Sequence, residues 1–154
     1  REKAPKAALE VGRVRRYGRR AIRQFRKITT NSSNRQDVRP VRRIYKICPA
    51  SAWREAERQG VYRGSADDAR DGFIHFAQAA QVAETARKHF AGQTGLFLVA
   101  VDADALGAAL RWEQSRNDEL FPHLYGELDL GAVTGVHEMH ARSDGFHDIP
   151  ELEP

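Results

Sequence analysis

The chain of 154 residues has one cysteine and one methionine, and only 8% of it is aromatic. The lone thiol, Cys48, excludes an internal disulfide and with it the disulfide-stapled secreted domains. It stands before Pro49 at an apparent strand end, a context that predicts a buried, inert thiol and not a nucleophile. No apolar run approaches the roughly 18 residues that a membrane-spanning helix needs. The chain also lacks a Gly-x-Ser-x-Gly elbow, a glycine-rich phosphate loop, a cysteine cluster and an internal repeat. The one paired-histidine motif, "HEMH", sets His137 and His140 three apart. A zinc-protease helix needs four, and on a strand the two point to opposite faces, so no metal is expected. These absences leave a soluble domain of a reducing, cytoplasmic compartment as the expectation.

Acidic residues are scarce at the start. Positions 1–43 hold 15 Lys and Arg against Glu2, Glu10 and Asp37, net +12. Positions 44–154 carry 10 basic and 18 acidic residues, net −8, so the overall +4 describes neither piece. Such asymmetry marks a basic leader (1–43) joined to one domain (44–141), with an acidic tail (142–154) that is expected to fray. In the leader, Val11, Val14, Gly18, Ile22 and Phe25 fall near helical spacing among arginines. Three readings stand: a solvated disordered extension, a targeting peptide, or an arm for nucleic acid or an anionic surface.

Within the domain, "VRRIYKIC" reads as a strand, and "AWREAERQ" as a helix capped by Ser51 and ended by Gly60. The polar stretch 61–72 reads as a loop holding Tyr62 and Ser65. A short strand follows at 72–76, then a helix over about 78–90 that buries Val82, Ala86 and Phe90. "GLFLVAVD" is apolar on both faces and predicts a central strand. Asp104 is placed as the cap of a short turn, "RWE" as a brief strand and "QSRNDE" as a loop. Residues 120–125 read as a strand that Pro122 confines to an edge or a bulge, and 133–141 as the last strand. Strands and helices mix without a strict βαβ rhythm, which predicts an α+β fold.

Two histidines interrupt apolar strands: His75 in "GFIHF" and His123 in "LFPHLYGEL". Buried imidazoles need hydrogen-bond partners or a polar cavity. Either each is a satisfied core residue, or the two line one cleft. Near the second, Trp112, Glu113, Ser115 and Arg116 bring an aromatic plane, a carboxylate and a guanidinium together in sequence, a mixture suited to a phosphate-bearing ligand.

The segments "IYKI", "GSADDARDGFIHFAQAAQVAETA", "HFAG", "LRWEQSR" and "LFPHLYGEL" resemble the bacterial proteins grouped as domain of unknown function 952, from about residue 44 to about residue 133. That resemblance implies an ADP-ribosyltransferase-like fold, a split mixed β-sheet with short helices whose active members hold NAD between two sheets. It implies Lys46, His75 and His123 as the three motif positions. Relatives often carry histidine at the first and active transferases a glutamate at the third. Where His123 stands for that glutamate, the carboxylate that steadies a developing oxocarbenium comes from Glu113 or Glu127. A histidine-and-lysine site also resembles the RNA 2′-phosphotransferases of the same group, though a domain at net −8 suits long RNA poorly. The expectation is thus a domain that binds a nucleotide such as NAD or an ADP-ribose derivative. His75, His123 and Glu113 are the catalytic candidates, and Lys46, Tyr62, Ser65, Trp112, Arg116 and Tyr125 the ligand-binding ones. The alternative is an accessory or regulatory domain with a degenerate cleft.

Overall fold

The computed structural model describes residues 41–154. The basic leader, all but its last three positions, lies outside the described residues. The first strand, β1 (Arg43–Pro49), leads directly into helix α1 (Ala50–Gln59). That helix starts at Ala50 with Pro49 in the capping position and no side-chain cap, so Ser51 lies inside it. It ends as expected at Gly60, whose φ of 79° is the left-handed conformation that glycine adopts without strain.

The stretch read as a loop is structured. It contains β2 (Val61–Tyr62) and helix α2 (Ala66–Asp71). A capping box starts α2: Ser65 Oγ accepts from the Asp68 amide at 3.2 Å and Asp68 Oδ2 accepts from the Ser65 amide at 2.8 Å. Next come β3 (Ile74–His75), a 3-10 turn (Ala79–Gln81) and helix α3 (Val82–His89). Then follow β4 (Leu96–Asp102), 3-10 turns (Ala103–Ala109) and β5 (Leu110–Gln114). Asp102 caps those turns by accepting from the amide of Asp104, the residue expected to be the cap. The rest is β6 (Leu120–Leu124), β7 (Leu128–Asp129), β8 (Val133–Ala141) and β9 (His147–Asp148).

Strand pairing joins β1-β4-β8-β9, β3-β6-β5 and β2-β7. Every ladder among the described residues is antiparallel, so the fold is α+β but the sheet is not mixed. The central position of β4 follows from its sequence: Leu96–Val101 are buried on both faces. Alternate residues divide the core in two. On one side Ile44, Cys48, Val99 and Val101 pack with Trp53 of α1 and with Ile74, Phe76 and Leu124 of the three-stranded sheet. On the other, Tyr45, Ile47, Leu96 and Leu98 pack with Val82 and Ala86 of α3. Each fully buried side chain of this size contributes about 1.5–3 kcal/mol.

Two further expectations need correction. Pro122 lies in β6, the middle strand of its sheet, and is not at an edge. Its carbonyl accepts from Phe76, so its nitrogen points to the same side, where β3 has already ended at His75. The missing donor therefore removes one bond at a strand end and leaves the β5 side intact. The acidic tail does not fray. Phe146 bonds back to Arg142, β9 pairs with β8, and Ile149 and Leu152 pack on the second core. Tyr45 donates its hydroxyl proton to the Glu153 carbonyl at 2.6 Å.

Candidate functional site

His75 and His123 are direct cross-strand partners in the β3–β6 ladder. Partners of this kind share a face, so the two imidazoles belong to one wall and do not face each other across a cleft. Their ring centroids are 5.5 Å apart, nearly edge to face. Phe73, two residues before His75, stacks on His123 at 4.1 Å and lies 5.2 Å from the Tyr125 ring. On the other side of β6, Arg111 pairs with His123 in register and holds its guanidinium 4.5 Å from the Tyr125 ring centre. Glu113, two residues along β5, returns to the same face. The opposite face of this small sheet, with Ile74, Phe76 and Leu124, is spent on the core.

Carboxylates meet both imidazoles. Glu113 Oε1 lies 3.0 Å from His123 Nδ1 and accepts the Tyr125 hydroxyl proton at 2.7 Å. The Tyr125 and His123 bonds hold the Glu113 carboxyl below its ordinary range, and the same bond to Glu113 pushes the Tyr125 hydroxyl up. Nε2 of His123 has no hydrogen-bond partner among the described residues. His75 is contacted at both nitrogens: Nδ1 lies 2.6 Å from Asp68 Oδ1 and Nε2 lies 3.0 Å from Asp71 Oδ2. His75 keeps 38% of its side-chain surface exposed and His123 9%, so solvent reaches the pair mainly at His75.

Asp68, 3% exposed, anchors this arrangement. It receives Lys46 Nζ on both oxygens, at 3.0 and 2.8 Å, together with the amides of Ser65 and His75. Burial alone pushes its carboxyl up. The His75 bond, the Lys46 charge and bond and the Ser65 amide together outweigh burial and hold it well below the usual carboxylate range. Asp71 is held low by its bond to Arg70 first and by the nearby His75 after that.

The sequence-expected residues divide accordingly. His75, His123, Glu113 and Tyr125 meet on one face. Lys46 is buried in the ion pair with Asp68, so its ammonium is not open to a phosphate, and Ser65 caps α2. Tyr62 is a core residue 5.7 Å from Trp53, and burial raises its hydroxyl pKa. Trp112, Glu113 and Arg116 do not cluster, because neighbours on a strand point oppositely. Trp112 lies under the Arg42 guanidinium and against the core, while Arg116 bonds Thr85 and faces Glu84 at 3.6 Å. Sequence reasoning missed Asp68, Asp71, Phe73 and Arg111. Two signals were present: the Ser65-x-x-Asp68 capping spacing, and the four-residue step from Asp71 to His75.

Two concavities lie elsewhere. One of about 160 Å³ is bounded by Arg42, Asp104, Leu110 and Trp112. The other, an open groove of about 710 Å³, runs between α3 and the β9 region. Neither is lined by His75 or His123. Among the described residues no three His, Cys, Asp or Glu stand together as a metal-binding group, and no helix is long and apolar enough to cross a membrane.

Residues 47–136 match the model of a family described as protein of unknown function (DUF952). The chain belongs to this family. The matched span includes β3, β5 and β6, hence the whole histidine face. The crystal structure of protein CC0527 from Caulobacter crescentus is 44% identical and superposes with a TM-score of 0.67, covering 69% of this chain and 93% of that one. The solution structure of the same bacterial protein is 45% identical with a TM-score of 0.62, covering 68% and 90%. Among curated proteins none matches.

Proposed function

We propose that the His75–His123 face is an acid–base site that acts on a small nucleotide-like ligand, with NAD or an ADP-ribose derivative as the ligand that the ADP-ribosyltransferase-like resemblance implies. The observation that carries this reading is a pair of imidazoles, each met at Nδ1 by a carboxylate, with ring centroids 5.5 Å apart. Glu113 accepts the Nδ1 proton of His123 and so leaves Nε2 as the basic nitrogen, the division of labour of a general base and its orienting carboxylate. An imidazole can accept a proton at one nitrogen while the other donates, which suits one ring to take up a proton and its neighbour to return one. Arg111 and the Tyr125 ring, held together at 4.5 Å, offer a cation for a phosphate and a plane for a base. Glu113, with one oxygen outside these bonds, can steady positive charge developing on a ribose.

The test is the melting temperature of the whole chain with millimolar NAD or ADP-ribose. A ligand at about a hundred times its dissociation constant adds roughly 2.7 kcal/mol, a rise on the order of ten degrees. The expected result is that rise in the wild type and its loss in His123→Ala. Equal melting curves with and without either ligand would overturn the nucleotide reading. A second reading, a binding domain without chemistry, is favoured by one observation: both nitrogens of His75 are already engaged. Binding without consumption of NAD would select it.

A further inference from the structure

We propose that Asp68 is the positioning residue of the site: anchored by Lys46, it holds His75 as the Nδ1–H tautomer, so that Nε2 is the nitrogen that takes up and returns a proton. This rests on the acid–base reading of the histidine face and assigns a role to a residue outside that pair.

Asp68 Oδ1 lies 2.6 Å from His75 Nδ1 and 3.1 Å from the amide nitrogen of the same residue. One oxygen thus grips both the ring and the backbone of His75, which fixes the ring's rotation as well as its distance. The carboxylate is itself immobile. Lys46 from β1 reaches both oxygens and the Ser65 amide takes Oδ2, so β1 and the cap of its own helix both hold it. Buried beside an ammonium and kept well below the carboxylate range, Asp68 carries no proton to donate, and only Nδ1 can supply one to that contact.

The consequence appears at the other nitrogen. The charged and titratable groups around the ring are Lys46, Asp68, Asp71 and His123. With Nδ1 committed, a neutral ring presents a bare lone pair at Nε2 to Asp71 Oδ2, 3.0 Å away. Acceptor then meets acceptor. A proton gained at Nε2 turns that contact into a charge-assisted bond. Asp71, a third exposed and paired with Arg70, stands where it can stabilise the ring once the proton has arrived. The proton arrives from a ligand donor and leaves to a ligand acceptor, so no other co-reactant enters.

The experiment is nitrogen-15 NMR of the imidazoles in the full chain, taken up a pH series to the point where the nitrogen shifts show a neutral His75 ring. His75 is expected to carry its proton on Nδ1. The double substitution Lys46→Met with Asp68→Leu removes both charges together, so no buried ion is left unpaired. In that variant the tautomer ratio is expected to move by about tenfold or more toward Nε2–H, now donating to Asp71. Asp71→Asn is expected to leave Nδ1–H in place. A wild-type His75 protonated on Nε2 would overturn the proposal, as would an unchanged ratio in a folded double variant. If the double variant does not fold, the wild-type spectrum decides alone. The measurement needs no ligand, so failure of the nucleotide reading and failure of this assignment are read separately.

Discussion

A carboxylate such as Asp68 reads from sequence as one more solvated charge in "ADDARD", yet it is buried and paired with an almost buried lysine. Removing one member leaves the other charge buried alone, so Asp68→Ala is expected to cost about 3–5 kcal/mol in urea unfolding. The Lys46→Met, Asp68→Leu double variant is expected to lose less than Asp68→Ala, because no lone charge stays buried, but still to lose the bonds to the Ser65 and His75 amides. Acid adds a second signature. The folded-state pKa of Asp68 is depressed below its unfolded value near 3.9. At pH values between the two, the unfolded chain binds more protons, so stability rises with pH. The Asp68 contribution is complete above the unfolded value and is lost as pH falls through the folded one. Denaturant melts from about pH 6 to about pH 3 should therefore show a steeper acid limb for the wild type than for the double variant. His75 and His123 were legible because they interrupt apolar strands. Asp68 was legible only as a cap, from its spacing to Ser65; its burial against a lysine 22 positions away has no local signal.

At the scale of elements, α2 shows what periodicity cannot supply. Six residues are too few for an apolar stripe, and in isolation such a helix would not survive its nucleation cost. Its capping box and its docking beside β3 give it stability that propensity does not. Ser65→Ala is expected to cost about 1 kcal/mol in urea denaturation, since it removes one cap bond and leaves the Asp68 anchors to Lys46 and His75 in place. Long elements were readable: β4 from its apolar run, α1 from its glycine stop and β8 from its β-branched residues. Pro122 misled because a single residue cannot reveal that the neighbouring strand ends before a donor is required. The cluster expected of Trp112, Glu113 and Arg116 failed for a related reason, since closeness in sequence along a strand is separation in space.

Across the whole molecule, the main sheet has a helix and the small sheet on one side and α3 on the other. The final segment closes the second core. Ile149 and Leu152 pack there, and the Glu153 carbonyl takes the Tyr45 hydroxyl. Ending the chain after Asp148 is expected to remove about 2–4 kcal/mol, read as a lower urea midpoint with the fold retained. Composition predicted the reverse, a fraying tail. Its acids face solvent while two scattered apolar residues provide the packing, too thin a pattern to read without the tertiary partner.

The strand order has a further consequence in time. β4 pairs with β1 and with β8, strands far from it along the chain, and β3 waits for β6 before its histidine has a neighbour. Pairings of this non-local kind close slowly, because loop entropy is lost before contacts compensate it. A chain emerging during synthesis can complete α1 early, but it holds no His75–His123 pair until β6 has been made and has docked. The histidine face is therefore assembled late in the life of each molecule, and partly folded chains do not present it.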